Sequence, residues 1–171
     1  TCRTILLLYN GAMNNSKIIE LQNVTPELIE SLKSRVLVGG CFDIFHFAHL
    51  DFLKKSRQFG GNLIIALESD EFIRTRKHHE PFHDVQKRAS LLAELECVDL
   101  VVILPLLTSD EQYLEMVRRI KPSIMSLTDG DSQIGNKTKH ASKIGAVIKV
   151  VPLLPNFSST IVHAKATITS D

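Results

Sequence analysis

Apolar segments of two different periodicities alternate along this chain. Runs rich in β-branched residues and bounded by turn residues have the length of buried strands, while the segments between them place apolar residues at helical spacing. Continuous apolar strands separated by helices are typical of a parallel sheet that is covered on both faces. We therefore predict an α/β fold, an open parallel sheet of about five strands with helices on both faces. The predicted strands cover residues 36–38, 63–67, 100–104, 123–127 and 146–151, and the predicted helices cover 50–59, 86–95 and 111–120.

The size and charge of the chain restrict its function class. With 171 residues, 44% of them hydrophobic, it is long enough for one compact domain. The formal net charge of +1 comes from interspersed signs, so we expect no nucleic-acid partner. The apolar run at 5–8 is far shorter than the ~20 residues that span a bilayer, so we expect no membrane contact. Cys2, Cys41 and Cys97 lack Cys-x-x-Cys spacing, which indicates a reducing compartment and a cytoplasmic protein.

The stretch from Gly39 to His49 carries the clearest chemical pattern. It joins a predicted strand through the pair Gly39-Gly40 to a helix that we expect to open at about His46. The first N–H groups of a helix lack intrahelical partners and the helix dipole favours an anion there, so this arrangement suits phosphate. His46 and His49 share one helix face and can both point at that anion. We predict a nucleoside triphosphate site, with ordinary helix-face histidines or a His-x-x-His zinc site as the alternatives.

These residues resemble a known family. Gly40-Cys41-Phe42-Asp43 followed by His46-Phe47-Ala48-His49 is similar to the G-[TC]-F-D…H-x-G-H pattern of the cytidylyltransferase-like nucleotidyltransferases. The resemblance runs from about residue 33 to about residue 167. It implies a Rossmann-like sheet in a nucleotidyltransferase domain over residues 33–171, preceded by an N-terminal arm and short helix over residues 1–32.

Later segments extend the resemblance and imply further site residues. Lys77 matches the position of a phosphate-contacting lysine, with Arg76 as the alternative one residue earlier and a solvated surface turn as the non-functional alternative. Arg88 is implied as a nucleotide or substrate contact, with an exposed ion pair as the alternative. The histidines at 78, 79 and 83 are expected in a loop on the substrate side, with metal binding as the alternative.

The C-terminal third completes the implied site. Asp129 and Asp131 follow a predicted strand in what resembles the nucleobase-side loop, and Ser158, Ser159 and Thr160 resemble the motif that holds the triphosphate. The implied catalytic residues are then His46, His49 and Lys77, and the implied substrate contacts are Asp43, Arg76 and Lys77. The implied nucleotide contacts are Gly40, Cys41, Phe42, Asp43, His46, His49, Arg88, Asp129, Asp131, Ser158, Ser159 and Thr160.

The resemblance implies a reaction. A nucleoside monophosphate passes from CTP or ATP, with CTP favoured, to a small phosphorylated or phosphonate substrate, and pyrophosphate leaves. Mg²⁺ accompanies the triphosphate, no metal site is expected on the protein itself, and a homodimer is implied around residues 97–99.

Four positions depart from the family pattern. Ala48 replaces the glycine of H-x-G-H, Asn62 replaces a common acidic residue, and Glu96 stands where an arginine is typical. Hydrophobic Leu153 or Leu154 takes the place of a basic residue that is common shortly before the final Ser/Thr motif. An added methyl group at residue 48 narrows the space where the nucleotide approaches the backbone. The alternative function is therefore a catalytically weakened nucleotide-binding module of the same fold.

Overall fold

The fold is taken from a computed structural model that describes residues 16–154. Six strands form one sheet within this range. The strands are β1 (Ile18–Glu20), β2 (Arg35–Gly40), β3 (Asn62–Leu67), β4 (Leu100–Ile103), β5 (Ile124–Thr128) and β6 (Val147–Val151). The helices are α1 (Pro26–Ser31), α2 (Phe47–Arg57), the short turn α3 (Asp70–Phe72), which continues as a π-helical turn over Ile73–Lys77, α4 (Val85–Ala93), α5 (Asp110–Ile120) and α6 (Ile134–Ile144).

All strand pairs in the sheet are parallel, and the order is β1-β4-β3-β2-β5-β6. The chain runs outward from β2 through β3 to β4 and then crosses back to place β5 on the other side of β2. Open α/β sheets bind ligands at such a switch point, beyond the carboxyl ends of the strands. The predicted open parallel sheet is confirmed, and its ligand-binding edge is expected between β2 and β5.

The sheet has one strand more than the five predicted. β1 spans only three residues, pairs with β4 through Ile18 and Val101, and continues directly into a 3-10 turn over Leu21–Asn23. A run this short gives no readable periodicity, which is why the sequence did not reveal it. The domain boundary at residue 33 stays a prediction, and residues 18–32 contribute both this strand and the buried side chain of Ile29 to the fold.

Helices cover both faces of the sheet, as predicted. Alternate residues of β2 face opposite layers: Val36 and Val38 pack in the layer that holds α2 and α4, and Leu37 packs in the layer of α1, α5 and α6. This alternation follows from the two-residue period of a strand. Both faces of β2 are buried, so its residues form a continuous apolar run.

Local signals set most helix ends. The Thr25-Pro26 pair predicts the start of α1, and the Thr25 hydroxyl indeed accepts a hydrogen bond from the Leu28 N–H at 3.3 Å. Helix α6 was not predicted. Its sequence is polar, with Gly135 and the β-branched Thr138 in its first turns, and it buries little besides His140 and Ala141. No helix within the described range is long and apolar enough to cross a membrane.

Candidate functional site

A strained loop leads from β2 into α2. The backbone of Phe42 lies in the left-handed region with φ 47°, which costs energy for an aromatic residue. A Cβ at Gly40 would come within 3.0 Å of the Phe42 ring, so glycine lets this ring fold back over the strand end. His46 then lies directly before α2 with extended backbone. The loop thus places His46 and the first turn of α2 at the carboxyl edge of β2.

His46 and His49 form a stacked pair at the start of α2. Their ring centroids are 3.9 Å apart with 22° between the planes, and the His46 N–H donates to Nδ1 of His49 at 3.4 Å. Both ring nitrogens of His46 are buried, and neither has a hydrogen-bond partner among residues 16–154. Buried polar atoms are nearly always paired, so these two nitrogens beside a helix N-terminus make the histidine pair a candidate ligand site.

Both imidazoles are held in the neutral form. Burial lowers the pKa of His46, and burial together with the neighbouring His46 lowers the pKa of His49 to about 4. At neutral pH each ring can therefore offer one N–H donor without a fixed charge. A phosphate placed between the rings and the helix start would favour their protonated forms.

A cleft of about 150 Å³ opens at the switch point between β2 and β5. Predicted site residues Gly40, Cys41, Phe42, His49 and Asp131 all line it. Its other described lining residues are Gly39, Phe52, Ser126, Leu127, Thr128 and Lys137. Loops from two neighbouring strands therefore converge as the topology requires. A larger cavity of about 250 Å³ lies beside β1 and α5, and none of the predicted site residues lines it.

Asp43 links the loop between β2 and α2 to the loop that precedes α4. Its Oδ1 accepts hydrogen bonds from the backbone N–H groups of Phe82 at 2.8 Å and His83 at 3.4 Å. Its buried Oδ2 lies 3.9 Å from Nδ1 of His79. The histidine-rich segment is a loop between the π-helical turn and α4, as predicted, and Asp43 holds it against the strand end.

Arg88 lies beneath the loops with its side chain fully buried. Its guanidinium donates to the carbonyl oxygens of His83 and Glu68 at 3.0 and 2.9 Å, to the Cys41 carbonyl, and to the Asp70 carboxylate at 2.6 Å. The alternative of an exposed ion pair is wrong. Direct contact with a nucleotide stays a prediction, because every contact of Arg88 within the described residues is with the protein itself.

The remaining predicted residues lie farther from the cleft. Arg76 and Lys77 are exposed at the end of the π-helical turn, and the Lys77 charge acts on the Cys41 thiol. Asp129 is exposed, and its N–H donates to the Val151 carbonyl at 2.9 Å. Ser158, Ser159 and Thr160 lie outside the described residues.

The structure adds residues that the sequence did not mark. The Glu68 carboxyl group is buried after β3, where its Oε1 accepts a hydrogen bond from the Tyr113 hydroxyl at 3.0 Å. Burial raises the Glu68 pKa to about 7. The hydroxyls of Ser56 and Ser126 are 2.7 Å apart and link α2 to the cleft floor. Single polar residues at strand ends and helix faces are common, so no sequence signal distinguished these.

No group of three or more His, Cys, Asp or Glu side chains within residues 16–154 is arranged to hold a metal ion. Mg²⁺ that accompanies a nucleotide usually takes most of its ligands from phosphate oxygens and water.

Comparison with known proteins agrees with this geometry. FAD synthase of Pyrococcus horikoshii is 34% identical over 122 residues, covering 71% of this chain and 80% of that protein. FAD synthase of Thermococcus kodakarensis is 39% identical over 107 residues, 63% of this chain and 68% of that protein. The bifunctional protein HldE of Helicobacter hepaticus is 38% identical over 112 residues, 64% of this chain and only 22% of that protein.

Solved structures show the same fold. The lipopolysaccharide core biosynthesis protein from Thermoplasma volcanium matches with a TM-score of 0.56 at 29% identity. The match covers 70% of this chain and 95% of that protein. The sequence profile described as cytidylyltransferase-like matches residues 37–167, which include most of β2, the histidine pair and the residues that line the cleft. The chain belongs to the cytidylyltransferase-like family of nucleotidyltransferases, as the residues around His46 and His49 predict.

Proposed function

We propose that the protein transfers AMP from ATP to a small phosphorylated acceptor and releases pyrophosphate. The support for ATP comes from the relatives named FAD synthase, because FAD is a dinucleotide that contains an AMP unit. CTP, favoured from the sequence, remains the alternative donor.

The observation that carries the proposal is the unpaired His46 ring above the first turn of α2. Two neutral imidazoles and the positive end of a helix dipole converge on one place. Such preorganised donors stabilise charge that grows on phosphoryl oxygens during the reaction.

The reaction needs no covalent nucleophile from the protein. An oxygen of the acceptor phosphate attacks the α-phosphorus of ATP, the bond from that phosphorus to the bridging oxygen breaks, and pyrophosphate leaves with the bond electrons. His46 and His49 donate to the phosphate oxygens, and Lys77 or Arg76 neutralises the approaching acceptor. Asp43 and Arg88 keep the two loops in place for this alignment.

Mg²⁺ accompanies the triphosphate in this proposal and neutralises part of its charge. Phosphate oxygens and water supply most of its ligands, in keeping with the way Mg²⁺ is usually bound.

Calorimetric titration with Mg·ATP and Mg·CTP tests the donor. We expect wild type to bind Mg·ATP and His46→Ala to lose that binding. The control is His78→Asn, which should bind Mg·ATP as wild type does. His78 is exposed, and its backbone lies in the left-handed region, which asparagine tolerates. Binding of Mg·CTP alone would assign the other donor. Equal affinities of wild type and His46→Ala would contradict the histidine assignment.

Pyrophosphate release identifies the acceptor. The purified protein is incubated with the bound nucleotide and, in turn, FMN, sugar phosphates, glycerol phosphate, amino-alcohol phosphates and phosphonates. Release with one acceptor class only would establish transfer to it. If none of the acceptors leads to pyrophosphate release, the binding-module alternative is favoured.

Ala48 is the observation that favours this alternative. Asn62 begins β3, and Glu96 lies exposed before β4. Both residues are at the edge where the strands start, opposite the cleft, so these two departures do not change the lining of the cleft. Ala48 lies in the first turn of α2, between the two histidines. We expect Ala48→Gly to raise the rate of pyrophosphate release in an attenuated enzyme and to leave a binding module inactive.

A further inference from the structure

Permanent positive charge is scarce in the cleft. Among the described residues that line it, Lys137 alone has a side chain that is cationic at all ordinary pH values. Arg76 and Lys77 are exposed and do not line it, and the Arg88 guanidinium is buried against protein oxygen atoms. A phosphate chain bound in the cleft therefore meets Lys137 as its fixed cation.

Acidic neighbours hold Lys137 at the cleft wall. Its Nζ lies 2.7 Å from Oδ2 of Asp131, whose Oδ1 accepts the Gln133 N–H at 2.8 Å. The ammonium group also acts on the buried Glu68 carboxyl group. Lys137 and Asp131 are both half-buried, so this pair is less screened than a fully exposed one.

The position of Lys137 is unfavourable for the helix that carries it. Lys137 is the fourth residue of α6, and a cation in the first turn is repelled by the positive end of the helix dipole. The ammonium group is stabilised by the Asp131 carboxylate rather than by the helix, and this ion pair keeps it at the cleft wall. Residues that break a local rule in this way are often functional.

We infer that Lys137 binds the phosphate chain of the nucleotide, opposite the donors at the start of α2. This inference rests on the proposed function and adds a residue to its site. An ammonium group has three donors, so Lys137 can keep its bond to Asp131 and give another N–H to a phosphate oxygen. Its flexible four-carbon stem allows that adjustment within the cleft.

Inorganic tripolyphosphate is the direct probe, because it carries the phosphate chain without a base. Calorimetric titrations compare wild type, Lys137→Gln, Lys137→Arg and the matched control Lys139→Gln, an exposed lysine on the same helix. We expect Lys137→Gln to weaken tripolyphosphate and Mg·ATP about tenfold or more, the range of a charge-assisted hydrogen bond. We expect Lys137→Arg to retain most of the affinity and Lys139→Gln to retain all of it.

The salt dependence of binding separates a binding role from a structural one. If Lys137 binds phosphate, Lys137→Gln makes the tripolyphosphate affinity less dependent on salt concentration, because one charged contact is lost. An unchanged salt dependence in Lys137→Gln would mean that the ion pair with Asp131 only supports the loop, and the inference would be wrong.

Two further outcomes also overturn it: wild type that does not bind tripolyphosphate, and equal affinities of Lys137→Gln and Lys139→Gln. The proposed function fails separately. Lys137-dependent binding of tripolyphosphate without binding of Mg·ATP or Mg·CTP would remove the nucleotide proposal and leave a phosphate site at Lys137.

Discussion

The stacked histidines start from an uncharged state. Burial holds the His49 pKa at about 4 and also lowers the His46 pKa, so the free protein carries little charge on either ring at neutral pH. A bound phosphate stabilises the protonated form and raises both pKa values again. Nucleotide binding and proton uptake are therefore expected to be coupled at these two residues.

Nucleotide affinity should rise as pH falls from 8 to 6. A ring that gains a proton on binding makes the complex more favourable when protons are plentiful, which is the linkage relation applied to a ligand. Calorimetry in buffers of different ionisation enthalpy measures the protons taken up. The nucleotide itself titrates in this range, so His49→Ala is the control, and an unchanged proton count in that variant would contradict the assignment.

Glu68 should make the protein less stable at high pH. Its pKa rises from 4.5 unfolded to about 7 folded, so the folded state holds more protons between these pH values and stability falls as pH rises through them. We expect Glu68→Gln to raise the free energy of unfolding by on the order of 1–3 kcal/mol at pH 8 and to change it little at pH 5. Urea unfolding at both pH values checks this, with the exposed Glu94→Gln as control. Equal gains at both pH values would show that the effect is not ionic.

Among the elements, the loops around the cleft are joined from below by one buried side chain. The Arg88 guanidinium contacts the loop between β2 and α2, the end of β3, the start of α3 and the segment before α4. Asp43 adds a second link, between the loop after β2 and the segment before α4. The relative positions of these segments therefore depend strongly on a residue that does not itself line the cleft.

Arg88→Ala should destabilise the fold by about 3–5 kcal/mol, because it leaves Asp70 and three carbonyl oxygens without their partner. Lys87→Ala, next in sequence and paired only at the surface with Asp84, should change stability little. Urea unfolding of both variants measures the difference. A small effect of Arg88→Ala would mean that water satisfies the exposed carbonyl groups.

Sequence patterns identified the elements that bury a continuous apolar face. The strands containing Val36 and Ile65 and the start of α2 at His46 were readable, since burial on both sides and a helix-start pattern leave a local signature. Helix α6 and β1 were not, because one is polar and the other has three residues. Contacts such as Arg88 with Cys41 or Lys137 with Asp131 depend on packing between elements, which no local pattern contains.

For the whole molecule, the predicted homodimer around residues 97–99 stays untested. Val98 is buried in the core, and the Asp99 carboxylate accepts the Leu63 N–H at 2.7 Å and pairs with Arg57. Partly exposed Cys97 and exposed Glu96 therefore remain for contact with a second copy. Any dimer at this surface relies on neighbouring residues as well.

Sedimentation of the purified protein at micromolar concentration should give a mass near twice that of the chain. Burial of an additional surface between copies would be the physical reason, and stable interfaces usually bury at least about 1,000 Å². Monomeric sedimentation across the micromolar range would remove the dimer from the description of this protein.

The place of β2 between β3 and β5 also affects how the cleft arises during synthesis. The wall that faces the histidine loop comes from β5 and α6, far later in the chain than β2. A nascent chain made only as far as α4 would contain both histidines but not the opposite wall. The cleft is then completed late in translation, after the crossover through α5 has brought β5 against β2 and α6 has followed.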